Sequence, residues 1–103
     1  MSHLLRVATA LLLGTAGAAF AQGANLGRDL AATCANCHGT NGQVRGDTVK
    51  PLAGVPADKI VAALNDFKSG ALPATIMHQI AKGYSDEQVK AIAAFLAAQP
   101  ARK

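Results

Sequence analysis

The chain has 103 residues, which is room for one domain and too short for a multidomain enzyme. Half of its residues are hydrophobic, only 4% are aromatic, and ten Lys and Arg against six Asp and Glu give a formal net charge of +4. The cations are scattered singly rather than clustered, which argues against a nucleic-acid partner and indicates a solvated basic surface that could steer an acidic protein partner.

The N-terminus has the pattern of a signal peptide. Arg6 supplies a positive charge, an uncharged run rich in Leu and Ala covers residues 7–19, and residues 19–21 have the small-x-small pattern that a signal peptidase recognises. The apolar run is shorter than the roughly 20 residues of a membrane-spanning helix, so a retained anchor is the less favoured alternative. We therefore predict cleavage after Ala21, a mature domain at residues 22–103, a periplasmic location and no stable membrane insertion.

Beyond the signal peptide the apolar residues recur at helical spacing, and we predict an all-α domain of about four short helices without strands. The first helix covers about residues 25–35, with Asn25 as a plausible N-cap. Residues 39–55 contain too much glycine and proline for a regular element and are predicted to form a wrapping loop. The second helix begins near Pro56, which suits a first turn, and ends at Gly70.

A third helix is predicted over residues 74–82, with Gly83 as a left-handed cap. The last helix has the clearest start, because Ser85 and Gln88 have the spacing of a capping box, and Pro100 prevents its continuation. One face of this helix is expected to be buried, and its members are Val89, Ile92, Ala93, Phe95 and Leu96.

The most specific motif is C-A-N-C-H at residues 34–38, the C-x-x-C-H pattern of covalent haem attachment. Cysteines three apart on a helical turn lie on one side, so Cys34 and Cys37 can both add to the vinyl groups along one haem edge, and His38 then lies beneath the iron. Three alternatives are less favoured. A zinc site would need a second pair of ligands, and a thioredoxin-type motif would need a β-α-β context. A disulfide would leave His38 unexplained. We predict one covalent haem c with its iron; a thiol–disulfide oxidoreductase is the remote alternative.

Met77 is the candidate for the second axial ligand, because it is the only methionine left after removal of the signal peptide. A lone methionine at helical spacing usually packs in a core, but Met77 follows His38 across a loop and a helix that could enclose a haem. His78 is the rival donor; neighbours on a helix point about 100° apart, so only one of the two can face the iron. We expect His78 to be exposed and not a ligand. Two protein ligands leave no open coordination site, which predicts an electron-transfer protein rather than an enzyme.

Over residues 25–99 the chain resembles the small bacterial class I c-type cytochromes. The resemblance rests on the haem motif with its following glycine, on P-L-A-G at 51–54, on F-K-S-G at 67–70, and on the segment 77–95. It implies the class I cytochrome c fold, with helices wrapped around one haem.

By position, the resemblance implies Cys34 and Cys37 as the thioether pair and His38 and Met77 as the axial pair. It also implies that the Pro51 carbonyl accepts a hydrogen bond from the ring N–H of His38. The family's first and last helices cross, which places Leu30 and Phe95 near the contact.

Residues 67–70, 75–77 and 80–87 are most similar to the cytochrome subunit of flavocytochrome c sulfide dehydrogenases. This resemblance implies a flavoprotein partner that oxidises sulfide and passes on its electrons. Lys59 and Phe95 depart from the aromatic and the tyrosine that are usual at their positions. A free shuttle that delivers electrons to a terminal oxidase or reductase remains the alternative.

Overall fold

The computed structural model describes residues 25–102, and all regular structure in this range is helical. Its helices, in chain order, are α1 (25–31), α2 (Ala35–His38), α3 (Ala57–Ser69), α4 (Met77–Lys82) and α5 (Asp86–Ala97). Two 3-10 turns, Ala32–Cys34 and Thr40–Gly42, lie on either side of α2. The all-α prediction is therefore confirmed. The predicted signal peptide and its cleavage site after Ala21 lie outside the described residues.

The core forms where α1, α3 and α5 meet, and its buried members are Ala31, Ile60, Ile92, Ala93 and Leu96. The predicted buried face of α5 is confirmed for Val89, Ile92, Ala93 and Leu96, whereas Phe95 is only half-buried. Within residues 25–102, no helix combines the length and the apolar character needed to cross a lipid bilayer.

Helices α1 and α5 approach each other backbone to backbone. A Cβ atom added at Gly27 would lie 2.4 Å from the carbonyl oxygen of Ala91 and 3.2 Å from the Cβ of Phe95. Leu30 and Phe95 both pack against the buried cluster. The predicted contact between the first and last helices is therefore confirmed, and the absence of a side chain at Gly27 is what allows the close approach.

Both ends of α3 and the start of α5 agree with the sequence prediction. The N-cap of α3 is Pro56, and the helix ends at Gly70, which has the left-handed conformation with φ 81° and ψ 7°. At α5 the Ser85 hydroxyl accepts from the Gln88 N–H at 3.2 Å, and the Gln88 side chain accepts from the Ser85 N–H at 2.9 Å. Both orphan donors of this capping box are satisfied.

Three details differ from the prediction. The first helix changes to a 3-10 turn at Ala32, where the Thr33 hydroxyl donates to the Leu30 carbonyl oxygen at 3.0 Å and competes with the helical pattern. Helix α4, which was predicted to start at residue 74, begins only at Met77, because Ile76 has a φ of −122° and cannot extend it. Gly83 is not a left-handed cap: its φ of −75° and ψ of −6° are right-handed.

Candidate haem-binding site

The two cysteines of the motif lie at the short helix α2, with Cys34 as its N-cap and Cys37 as its third residue. Cys34 ends the first 3-10 turn and directly precedes α2, Cys37 lies within α2, and no disulfide joins the two. Cys34 is half-buried and Cys37 is exposed. Burial raises the pKa of the Cys34 thiol, and a hydrogen bond with Thr33 offsets part of this effect. A reactive redox pair needs a thiolate with a lowered pKa, so the raised pKa of Cys34 does not favour the thioredoxin-type alternative.

The alternative of a zinc site also lacks support. Among residues 25–102, no three His, Cys, Asp or Glu side chains come close enough together to hold a metal ion. Structural zinc needs four such ligands and catalytic zinc three. The motif at residues 34–38 therefore does not form half of a larger cluster in the described part of the chain.

His38, at the end of α2, is held in the tautomer that a metal ligand needs. Its Nδ1 lies 2.7 Å from the carbonyl oxygen of Lys50. Because a carbonyl oxygen only accepts hydrogen bonds, Nδ1 carries the proton and Nε2 keeps a free lone pair. Orienting an imidazole through its other nitrogen is the usual support for a histidine that binds a metal.

The acceptor for His38 corrects one expectation. The resemblance implied the Pro51 carbonyl, but the structure uses the carbonyl of Lys50, one residue earlier. Lys50 directly precedes a proline, and the residue before a proline favours an extended conformation over a helical one. A backbone acceptor has no side-chain signature, so the only signal in the sequence was the neighbouring proline.

Gly42 positions the loop that carries this carbonyl. Its carbonyl oxygen accepts from the N–H of Leu52 at 2.9 Å and from the N–H of Ala53 at 3.1 Å. Its φ is 76°, and a Cβ atom there would lie 2.7 Å from the Ala53 nitrogen. Only glycine combines this conformation with so close an approach. The loop is therefore anchored two residues beyond Lys50.

Met77 and His78 begin α4, and only one of the two has a hydrogen-bonded side chain. Met77 is half-buried. His78 is also partly buried: its Nε2 lies 2.5 Å from the Leu72 carbonyl oxygen, and its ring lies 6.2 Å from that of Phe67. The expectation of an exposed His78 is wrong, because this ring ties α4 to the chain that precedes it. To bind a metal through Nε2, His78 would have to give up that bond.

The residues present thus fit a covalently bound haem. There are two cysteines at the required spacing that no disulfide joins, one histidine whose Nε2 keeps its lone pair, and one thioether sulfur on a separate helix. The structure places Cys34, Cys37 and His38 on one turn, and Met77 on α4. The two thiols match the pair that attaches haem c through thioether bonds, and the imidazole and the thioether match the donors that bind its iron in c-type proteins.

An all-helical fold with this motif defines a c-type cytochrome. The family model described as cytochrome c matches residues 24–99, and the chain belongs to that family. It therefore carries a covalently bound haem c with its iron, and a single one because the sequence contains only two cysteines.

Three relatives illustrate the similarity. The chain is 38% identical to the cytochrome subunit of sulfide dehydrogenase from Chlorobaculum tepidum over 69 residues, which are 67% of this chain and 62% of the relative. It is 43% identical to the thiosulfate dehydrogenase electron acceptor of Stutzerimonas stutzeri over 72 residues, 69% of this chain and 33% of the relative. Cytochrome c-554(548) of Halomonas halodenitrificans is 33% identical over 76 residues, 71% of this chain and 92% of that protein. The chain thus spans less than two thirds of the first two relatives.

Proposed function

We propose that this chain is a periplasmic monohaem cytochrome that carries single electrons through an iron ligated by His38 and Met77. The observation that carries the proposal is the 2.7 Å contact between His38 Nδ1 and the Lys50 carbonyl, which leaves Nε2 free for iron. When bound, haem c supplies a reversible one-electron couple. Cys34 and Cys37 are proposed to hold it as thioethers, so that it stays with the chain in both oxidation states.

The two proposed iron ligands, His38 and Met77, would have opposite effects on the iron. The Lys50 carbonyl oxygen accepts a hydrogen bond from the Nδ1–H of His38, which would increase the electron donation of Nε2 and stabilise the ferric state. The thioether of Met77 is a soft donor that favours the ferrous state and raises the potential. With His38 and Met77 both bound to it, the iron would have no open site for oxygen or substrate, and the chain would exchange electrons rather than catalyse a reaction by itself.

The proposed haem attachment predicts a red protein whose haem is retained after denaturation. Two thioether bonds resist acid and organic solvent, so acid–organic extraction of the exported protein should leave the haem with the polypeptide. Replacing both Cys34 and Cys37 by Ser should release it into the organic phase. The measurement is the haem absorbance of the two phases. Complete extraction from the unaltered chain would contradict covalent attachment.

We further propose that the electron donor is the flavoprotein of a sulfide dehydrogenase, with this chain as its cytochrome subunit. The supporting observation is the 38% identity with a cytochrome subunit of sulfide dehydrogenase. The 43% identity with a thiosulfate dehydrogenase electron acceptor favours a second candidate, a carrier that accepts electrons from a thiosulfate-oxidising enzyme. The net basic charge is suited to an acidic surface on either donor.

The two candidate electron donors predict different outcomes of a reduction experiment. The ferric protein should be reduced rapidly by sulfide together with the flavoprotein of a sulfide dehydrogenase, and much more slowly by thiosulfate with a thiosulfate dehydrogenase. Growth of the reduced haem absorption bands gives both rates, and sulfide without enzyme is the control. Faster reduction by the thiosulfate enzyme would favour the second candidate. Co-elution with the flavoprotein in gel filtration distinguishes a bound subunit from a free shuttle.

A further inference from the structure

We propose that Tyr84 is a positioning residue for the sixth iron ligand. Its hydroxyl joins the end of the helix that carries Met77 to the turn that carries Cys34. The hydrogen bond between Tyr84 and Thr33 is called the latch below. This inference rests on the proposed ligation of the iron by Met77. It assigns to Tyr84 the role of holding the helix that carries Met77 in place.

The latch connects two distant parts of the chain. Thr33 Oγ1 lies 2.6 Å from the hydroxyl oxygen of Tyr84. The single hydroxyl proton of Thr33 is donated to the Leu30 carbonyl oxygen at 3.0 Å, so Tyr84 is the donor in the latch. Thr33 directly precedes Cys34, and the latch therefore ends next to the first haem attachment point.

The other end of the latch is held by main-chain contacts. Tyr84 follows α4 by two residues, and its N–H donates to the Ala81 carbonyl oxygen at 3.3 Å. The Tyr84 carbonyl oxygen accepts from Lys68 Nζ at 2.5 Å. Lys68 also lies 3.6 Å from the Asp86 carboxylate, and only 23% of its side chain is exposed. Tyr84 is thus fixed relative to both α3 and α5, and its ring packs against the buried cluster.

The arrangement matters because α4 is weak on its own. It has six residues, too few for a stable isolated helix, and Ile80 on its surface is 39% exposed. His78 secures its N-terminal end to Leu72, and the latch secures its C-terminal end to the turn before Cys34. If α4 moves away from that turn, Met77 moves with it, and an external ligand competes better for the iron.

The test is an imidazole titration of the ferric, haem-loaded protein, in which imidazole replaces the sixth ligand. Tyr84→Phe removes only the hydroxyl and is expected to tighten imidazole binding about threefold, the equivalent of about 0.7 kcal/mol for one partly exposed hydrogen bond. Ser69→Ala is the matched control. It removes another exposed hydroxyl, which donates to the Asp66 carbonyl oxygen at 3.1 Å at the end of α3, and should leave imidazole affinity unchanged.

Thr33→Val removes the same bond from its other end and should tighten imidazole binding similarly, with no further gain when combined with Tyr84→Phe. An unchanged affinity in Tyr84→Phe, or additive effects in the double variant, would overturn the latch. If Met77 is not an iron ligand, the result is different: the Met77→Ala variant would bind imidazole with the affinity of the unaltered protein. If Met77→Ala tightens binding strongly and Tyr84→Phe does not, the ligation stands and the latch is wrong.

Discussion

Replacing Met77 by alanine is expected to lower the reduction potential of the haem by on the order of 0.2 V, a fraction of the roughly 0.8 V range that axial ligands span. The loss of a thioether removes a donor that favours ferrous iron and admits water or an external ligand. The weak long-wavelength sulfur-to-iron band of the ferric protein should disappear. The haem should stay attached, because the thioethers of Cys34 and Cys37 do not depend on the sixth ligand. Redox titration and absorption spectra measure both effects.

The matched variant for this experiment is His78→Ala. The His78 ring binds the Leu72 carbonyl and contacts Phe67, so its removal should cost stability while the sulfur-to-iron band is retained. The opposite pattern, in which His78→Ala changes the spectrum and Met77→Ala does not, would identify a bis-histidine haem. A carrier of that kind has a lower potential and serves different partners.

Replacing Gly27 by alanine is expected to lower the free energy of unfolding of the haem-loaded protein by about 2 kcal/mol. The added methyl group would lie 2.4 Å from the Ala91 carbonyl oxygen, and this backbone cannot move aside without separating α1 from α5. The loss is expected even though alanine is the better helix former by about 1 kcal/mol. Denaturant unfolding of the two proteins measures the difference.

Gly83→Ala provides the control, because it is the same chemical change at a permissive position. Gly83 has a right-handed backbone, and the nearest contact of an added Cβ is the Ile80 carbonyl oxygen at 3.3 Å. Its effect on stability should stay within about 0.5 kcal/mol. If Gly27→Ala is equally mild, the two helices do not approach each other as closely as the structure indicates.

Features that depend only on residues close together in the sequence were predictable from the sequence alone. The haem motif occupies five consecutive residues, and its spacing alone brings both thiols and the imidazole onto one turn. The Ser85 and Gln88 capping box was confirmed because its two hydrogen bonds lie within a single helical turn. The start of α3 after Pro56 and its end at Gly70 follow from local backbone preferences in the same way.

Other features were decided only by the tertiary structure, because they depend on which distant segments meet. The Lys50 carbonyl, rather than that of Pro51, reaches His38, and a backbone acceptor has no side-chain signature that would tell these two neighbours apart. His78 is partly buried because packing brings the Leu72 carbonyl to its ring. The bond between Thr33 and Tyr84 spans 51 positions, so only the packing of α1 and α4 against α3 and α5 could create it.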